Sequence, residues 1–120
     1  MRAWIAIAVF AGGVVPGLAA PAPTRLTPAD IQKTFFTGQE FTAATPSNIA
    51  FKMLFTADGK MTREPIGKSG VKDAGTWKLD KTGFCTTWKG SKPNCFTVMT
   101  SGDNKWSVMR GSSPVATWSK

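Results

Sequence analysis

Residues 75–98 contain three short segments of alternating side chains, separated by turns, and the only two cysteines lie in the second and third segments. A period of two is typical of β-strands with one buried face. The same rhythm of five or six alternating residues and then a turn rich in Gly, Asp, Asn or Pro continues from Gly38 to the C-terminus. This pattern constrains the fold more than any other feature, and it predicts a small antiparallel β-domain.

The turns divide the chain after Gly38 into seven or eight strands with hairpin-length connections, which favours a meander over a Greek key. The Asp58-Gly59 pair is the strongest hairpin signal. The segment after it is polar and contains Pro65, so we expect an edge or rim strand there. The predicted fold is therefore mainly β, an antiparallel meander or barrel with one short N-terminal helix. Strands are expected at 39–42, 49–55, 60–66, 75–79, 84–88, 95–98, 105–110 and 115–119.

A two-turn helix is predicted just before the strands. Thr27 is a suitable N-cap, and Pro28 then occupies the first helical position. Ile31 and Phe35 share one face, and Gly38 ends the helix. Because so short a helix is not stable alone, we expect it to pack as a plug over one end of the β-structure.

Residues 1–20 have the layout of a secretory signal peptide: Arg2, an apolar run over 3–15, and small residues over 16–20. The alternative is a membrane anchor, because 18 residues without charge are close to spanning length. Cleavage is expected between residues 19 and 23, with no stable membrane insertion afterwards. Residues 21–25 would then form a flexible lead-in and 26–120 a single domain, periplasmic or secreted.

Cys85 and Cys95 are predicted to form a structural disulfide, because an exported chain with two cysteines has a single possible pairing. The alternatives are buried free thiols or a redox pair, but nine intervening residues do not match a Cys-x-x-Cys motif. If the two cysteines are directly opposite, Phe96 falls on the same face as Phe84. The disulfide would then join two strands on the face opposite the aromatic core.

The chain has 15 basic and 7 acidic residues, a net charge of +8, or +7 without Arg2. A basic exported protein is attracted to anionic surfaces, so we expect an anionic envelope component or an acidic partner protein. The lysines are dispersed over the sequence, which argues against a local docking tail. Basic residues beside tryptophans resemble a nucleic-acid surface, but strand alternation separates the two types, and no nucleic-acid partner is expected.

Catalysis is not expected, because the chain lacks His and Tyr and most of its aspartates are in turns. The alternative is a carboxylate-dependent hydrolase that uses Glu40 or Glu64. No cofactor is expected. The sequence offers one candidate metal site, a set of methionines with thioether sulfurs as ligands. Core filling is the favoured interpretation of these residues. The four methionines are Met53, Met61, Met99 and Met109.

Tryptophans at 77, 88, 106 and 118 recur once per late strand in the inward phase, which favours a filled interior over a ligand site. An eight-stranded barrel is just wide enough to be filled by side chains or to hold one small ligand. If a ligand binds inside, we expect its contacts to be Trp77, Trp88, Trp106, Phe51 and Met53.

Gly75-Thr76-Trp77 resembles the Gly-x-Trp signature of lipocalins and avidin-like barrels, although there the motif lies on the first strand and here it lies mid-chain. Nearly the whole expected domain resembles small exported proteobacterial proteins of unknown function. Those share a Leu-Thr-x-x-Asp-Ile helix with a glycine, a Phe-x-x-Asp-Gly hairpin, a Gly-Thr-Trp strand and a Cys-x-x-Trp…Cys pair. Here the four elements are 26–38, 55–59, 75–77 and 85–95. The resemblance implies an exported, lipocalin-like barrel and implies no activity or site residues.

The function expected from the sequence is non-catalytic binding in the cell envelope. The ligand would be an anionic envelope component, a small apolar molecule, or a hydrolase that the domain inhibits. A structural envelope protein without a soluble ligand is the alternative, and the oligomeric state is left open.

Overall fold

A computed structural model of the protein describes residues 22–67 and 69–120. The predicted signal peptide at 1–20 lies outside the described residues. Eight antiparallel strands follow one another around a closed barrel, and the last strand pairs with the first. The mainly-β prediction and the meander order are confirmed, and the number of strands, predicted as seven or eight, is eight. The elements are α1 (Pro28–Phe35), β1 (Phe41–Ala44), β2 (Ala50–Phe55), β3 (Lys60–Pro65), β4 (Asp73–Leu79), β5 (Phe84–Trp88), β6 (Asn94–Thr100), β7 (Lys105–Arg110) and β8 (Ser113–Ser119).

Six of the eight strands have bounds that differ by one or two residues from expectation, and two features of the strands need a physical explanation. The first strand begins at Phe41 rather than 39, because Gly38 has a φ of +85° and its amide donates to the Phe55 carbonyl, which keeps the chain in a turn. The segment with Pro65 is not an edge strand, since β3 pairs with β2 on one side and β4 on the other. Pro65 is tolerated there because it is the last residue of the strand.

Helix α1 closes one end of the barrel. Thr27 is its N-cap and accepts a hydrogen bond from the Asp30 amide at 3.1 Å. Phe35 contacts the rings of three core residues at centroid distances of 4.8–5.0 Å, and Phe36, the C-cap, lies parallel to Phe55 at 4.5 Å. Burying these rings supplies the stability that so short a helix lacks. The predicted plug is confirmed.

Large side chains fill most of the barrel interior next to α1. The interior is almost wholly aromatic and aliphatic, as expected when eight strands enclose a space of side-chain dimensions. The buried members of this core are Ile31, Phe35, Phe36, Phe41, Ala43, Phe51, Met53, Phe55, Met61, Phe84, Val98, Val108 and Trp118.

Strands β5 and β6 are joined by a short ladder of three residue pairs, the same number as in the β1–β8 ladder that closes the barrel. Cys85 lies directly opposite Cys95, with 3.9 Å between their Cα atoms, and the two sulfur atoms are bonded. Phe84 is opposite Phe96, and their ring centroids are 5.4 Å apart on the inner face. The predicted register therefore holds, with the sulfur bridge on the outer face.

The N-terminal segment was expected to be flexible, but its described part is hydrogen-bonded to the free side of β6. The Leu26 amide donates to the Val98 carbonyl, and the Thr100 amide donates to the Thr24 carbonyl, both at 2.8 Å. These bonds occupy the part of β6 that extends past the end of β5. Residues 24–26 thus act as a short extra strand, because the unpaired backbone of β6 needs partners.

Candidate functional site

The end of the barrel opposite α1 is formed by alternate connections of the meander. We call this end the open rim: the β1–β2, β3–β4, β5–β6 and β7–β8 connections at 45–49, 66–72, 89–93 and 111–112. The closed end carries α1 and the other connections, at 36–40, 56–59, 80–83 and 101–104. Because each strand reverses direction, loops far apart in sequence meet at the same end.

The two ends differ in charge. The open-rim connections contain lysines and no acidic residue, whereas the closed-end connections contain four acids and one lysine. Lys72, Lys89 and Lys92 are exposed at the open rim, and Lys68 of the same loops lies outside the described residues. Across 22–67 and 69–120, Lys89 and Lys92 form no ion pair, while Lys72 is 3.8 Å from Glu64 at the end of β3. The open rim is therefore a basic surface.

The acids of the closed-end connections are Glu40, Asp58, Asp80 and Asp103. The carboxylate of Asp58 accepts a hydrogen bond from the Thr56 hydroxyl, and this bond is the main reason why its pKa lies below the ordinary value of 3.8. The backbone amide and charge of Lys60 act in the same direction.

The open rim also exposes two large apolar side chains. Ile66 is 51% exposed and Val71 is 69% exposed, and both belong to the β3–β4 connection. A surface that combines apolar side chains with lysines is typical of contact with a partner that has both charged and apolar parts.

Arg63 lies just inside the mouth of the barrel at the open rim. Its guanidinium carbon is 5.0 Å from the Phe51 ring centroid and 4.6 Å from that of Trp88. Its Nε donates to the Val71 carbonyl at 3.3 Å, and Nη2 is 3.8 Å from the Asp73 carboxylate. One half-buried arginine thus joins β2, β3, β4 and β5 at the mouth.

The five residues predicted as ligand contacts do not form one site. Trp88 and Met53 line a cavity of about 110 Å³ inside the barrel, under the mouth. Phe51 lies under Arg63 at the open rim. Trp77 and Trp106 are near the closed end, where their rings contact Phe36 and Phe35, and the Trp77 indole donates to the Thr56 carbonyl at 2.9 Å. The tryptophans therefore do not surround a common opening.

The two glutamates of the hydrolase alternative do come together. Glu40 and Glu64 line one shallow groove of about 220 Å³ on the outer wall, with Lys52 and Lys72. Both glutamates are exposed, and Glu64 lies beside Lys72. The groove has no buried wall that would separate the roles of two carboxyl groups, as acid–base pairs require.

A cluster of Asp80, Cys85 and Cys95 has the residue types of a metal site. The two sulfur atoms are bonded to each other, so neither is a thiolate ligand. The Asp80 carboxylate accepts hydrogen bonds from the Thr82 and Gly83 amides, as in an ordinary turn.

The four methionines considered as a thioether site lie on opposite sides of the barrel wall. Met53 and Met61 are buried in the core. Met99 and Met109 lie one position after inward Val98 and Val108, so they are on the outer face. They do not converge on one point.

Sequence reasoning missed the basic open rim. The lysines look dispersed in sequence, and their common location depends on which turns meet at one end. The signal was present in the turns, because in a meander every second turn belongs to the same end. Sorting the turns in that way separates the lysine-bearing loops at 66–72 and 89–93 from the aspartate-bearing turns.

The chain matches no protein-family model, no curated protein and no solved structure. In the described part of the chain, no helix is long and apolar enough to cross a membrane.

Proposed function

We propose that this protein is an exported, non-catalytic binding module that docks on anionic lipid headgroups of the cell envelope through its open rim. The single observation that carries the proposal is the difference in charge between the connections at the two ends: those of the open rim contain lysines and no acid, whereas those of the closed end contain four acids and one lysine. We expect the barrel to approach an anionic surface rim first, because the rim loops attract such a surface without acids of their own, whereas the closed-end turns carry acids that weaken the attraction.

The exposed Ile66 and Val71 favour a lipid surface over a purely polar polymer. Apolar side chains gain free energy when they enter the headgroup boundary, and nearby lysines add roughly 1 kcal/mol each at an anionic surface. Both side chains are on the lysine-bearing β3–β4 loop. Export is supported by the signal-like residues 1–20 and by the disulfide, which persists in an oxidising compartment.

The experiment measures co-sedimentation of the protein with phosphatidylcholine vesicles, with and without phosphatidylglycerol. Binding is expected only with phosphatidylglycerol, and it should weaken between about 0.1 M and about 1 M salt as the Debye length falls from ~10 to ~3 Å. Replacing Lys72, Lys89 and Lys92 by Gln should weaken binding roughly 10- to 100-fold. The replacement of both Ile66 and Val71 by Ser should weaken it further.

A matched control removes the same charge from the other end. Lys33, Lys81 and Lys105 are exposed at the closed end, and their replacement by Gln lowers the net charge equally. This variant should lose less than about three-fold in binding. Equal loss in the two triple variants would mean that net charge alone attracts the protein. Binding to a soluble polyanion with no effect of the Ile66 and Val71 changes would instead favour an acidic polymer as the partner.

A further inference from the structure

We propose that the cavity inside the barrel, under the open rim, is a binding site for one small uncharged alcohol or phenol. The apolar part of the ligand would fill the cavity and its hydroxyl would bond to the Thr86 side chain. This site is inside the barrel and does not depend on the lipid surface proposed above, so the two proposals can fail separately.

The cavity has a volume of about 110 Å³ and an almost wholly apolar lining. An engineered apolar cavity of roughly 150 Å³ stays dry and binds benzene, so a space of this order suits a single ring or a short branched chain. Drug-sized ligands and acyl chains need several times more volume. The lining comes from β2 and β5–β8, and its members that matter most below are Met53, Trp88, Val108, Val115 and Ala116.

Thr86 is the polar residue of this lining and is only 4% exposed. It lies on β5 between Phe84 and Trp88, in the inward phase of the strand. Its hydroxyl takes part in none of the side-chain hydrogen bonds formed among residues 22–67 and 69–120. A buried hydroxyl without a partner is costly, and a ligand that supplies one hydrogen-bonding group removes that cost.

The surroundings select against an ionised ligand. No charged residue is part of the cavity lining, so a carboxylate or ammonium group would lose its hydration without a counter-charge. Arg63, at the mouth, is not part of the lining, and it already lies beside the Asp73 carboxylate and over the Trp88 ring. The ligand class is therefore neutral, with one hydroxyl and a compact apolar body.

The test titrates the folded protein separately with phenol and with toluene, which share a ring and differ in the hydroxyl. Binding is followed through the methyl NMR signals of Met53, Val108 and Val115, three residues of the cavity wall. Both probes should give saturable shifts of these methyls. Phenol should bind about two- to ten-fold more tightly than toluene, the factor expected from one additional hydrogen bond.

Four variants, one of them a matched control, make the proposal falsifiable. Thr86→Val keeps the shape of the side chain and should remove the preference for phenol while toluene still binds. The matched control is Thr87→Val on the outer face of the same strand, which should keep the preference. Ala116→Leu adds volume to the cavity and should abolish both shifts, and the methyl spectrum itself reports whether this variant folds; Val115→Leu is the second filling variant if it does not.

Several outcomes would overturn the site. The cavity does not bind such ligands if neither probe gives a saturable shift, or if shifts persist unchanged in a folded filling variant. Equal affinity for phenol and toluene in the native protein would mean that Thr86 is satisfied in another way, for example by a buried water. Vesicle binding has no bearing on these measurements, since it depends on the lysines outside the barrel.

Discussion

Arg63 shows at the scale of one residue how the mouth of the barrel is held together. Its position in β3 is in the inward phase, two residues after buried Met61, where a charged side chain is unusual. The rings of Phe51 and Trp88 lie within 5.0 Å of the guanidinium carbon, and Asp73 supplies a counter-charge. A planar cation can stack on aromatic faces while its edge remains in water.

Arg63→Met should lower the free energy of unfolding by about 1–2 kcal/mol, because it removes two half-exposed cation–π contacts and one ion pair. Arg63→Lys should recover less than half of this loss, since an ammonium group does not stack as guanidinium does. The measurement is urea unfolding. Arg110→Met, at an exposed position of the same end, is the control and should change stability by less than about 0.5 kcal/mol. An equal effect of the two methionine variants would contradict the role given to Arg63.

Gly75 is a second residue whose surroundings explain its identity. A Cβ atom built on it would clash with the side chain of Met61 and with the backbone of Thr87 and Trp88. The Met61 side chain can move aside, but the backbone atoms of the neighbouring strand cannot. Gly75→Ala should therefore cost about 2 kcal/mol or more in the free energy of unfolding, as expected for overpacking. Gly90→Ala, in a rim loop with open space around the site, should cost less despite its φ of +78°. Urea unfolding of both variants tests this, and equal costs would be evidence against crowding at Gly75.

The lowered pKa of Asp58 predicts that the stability of the protein depends on pH. Its folded pKa is lowered, so the ionised carboxylate contributes stability that is fully present above about 3.8 and is lost as the pH falls through the folded value. Asp58→Asn should therefore be less stable than the native protein at pH 7, and the difference should shrink in acid. Urea midpoints measured from pH 7 down to about pH 2 test this, and Thr56→Val should show the same trend. A difference that does not depend on pH would contradict the assignment.

At the scale of elements, the β5–β6 seam is one of the two shortest ladders in the barrel wall, the other being the β1–β8 seam. It has three residue pairs, and the disulfide joins the middle one. The C-terminal part of β6, from Val98 to Thr100, is hydrogen-bonded on this side to residues 24–26 instead of to β5. The seam is thus held by one covalent bond and one short added strand.

Replacing both Cys85 and Cys95 by Ala should lower the free energy of unfolding by about 2–3 kcal/mol, the value expected for closing so short a loop in the unfolded chain. Reduction of the native protein should have a similar effect. Amide hydrogen exchange at 84–86 and 94–96 should accelerate more than exchange in β2 and β3, because the loss of the bond opens this seam first. Uniform acceleration around the barrel would mean that the seam is no weaker than the rest.

For the whole molecule, the charge separation predicts how the barrel stands on an anionic surface. With vesicles that carry a paramagnetic lipid, amide NMR signals of 66–67, 69–72 and 89–92 should be attenuated more than those of 56–59 and 101–104, because the open rim faces the lipid. The Lys72, Lys89 and Lys92 triple Gln variant should lose this contrast. Stronger attenuation at the closed end would contradict the proposed orientation.

Much of the wall and the plug could be predicted from the sequence, because the signals there are local. Alternation and the two cysteines defined the pairing of Phe84 with Phe96, and Thr27 marked the start of α1, which ends at Phe35, three residues before the predicted stop at Gly38. Closure of the barrel could not be predicted, because it depends on the pairing of Ala43 with Trp118, far apart in sequence.

The candidate site was harder to predict for the same reason. Trp77 and Trp88 look alike in sequence, each followed by a lysine, yet Trp88 ends its strand at the open rim while Trp77 lies two register positions nearer the closed end. Arg63 looks like an ordinary polar residue until Phe51 and Trp88 are placed beside it. The lack of a hydrogen-bond partner for the Thr86 hydroxyl depends on all of its neighbours inside the barrel, so no local sequence pattern predicts it.

Both ends of the described chain lie away from the open rim. Lys120 donates from its Nζ to the Thr34 carbonyl on α1, and Thr24 is bonded to Thr100 at the closed end of β6. A fluorescent reporter or an immobilising tag joined after Lys120 would therefore be attached at the closed end of the barrel. In such a fusion the lysine-bearing loops would face the analyte solution. Every copy immobilised on a sensor chip would then have the same orientation.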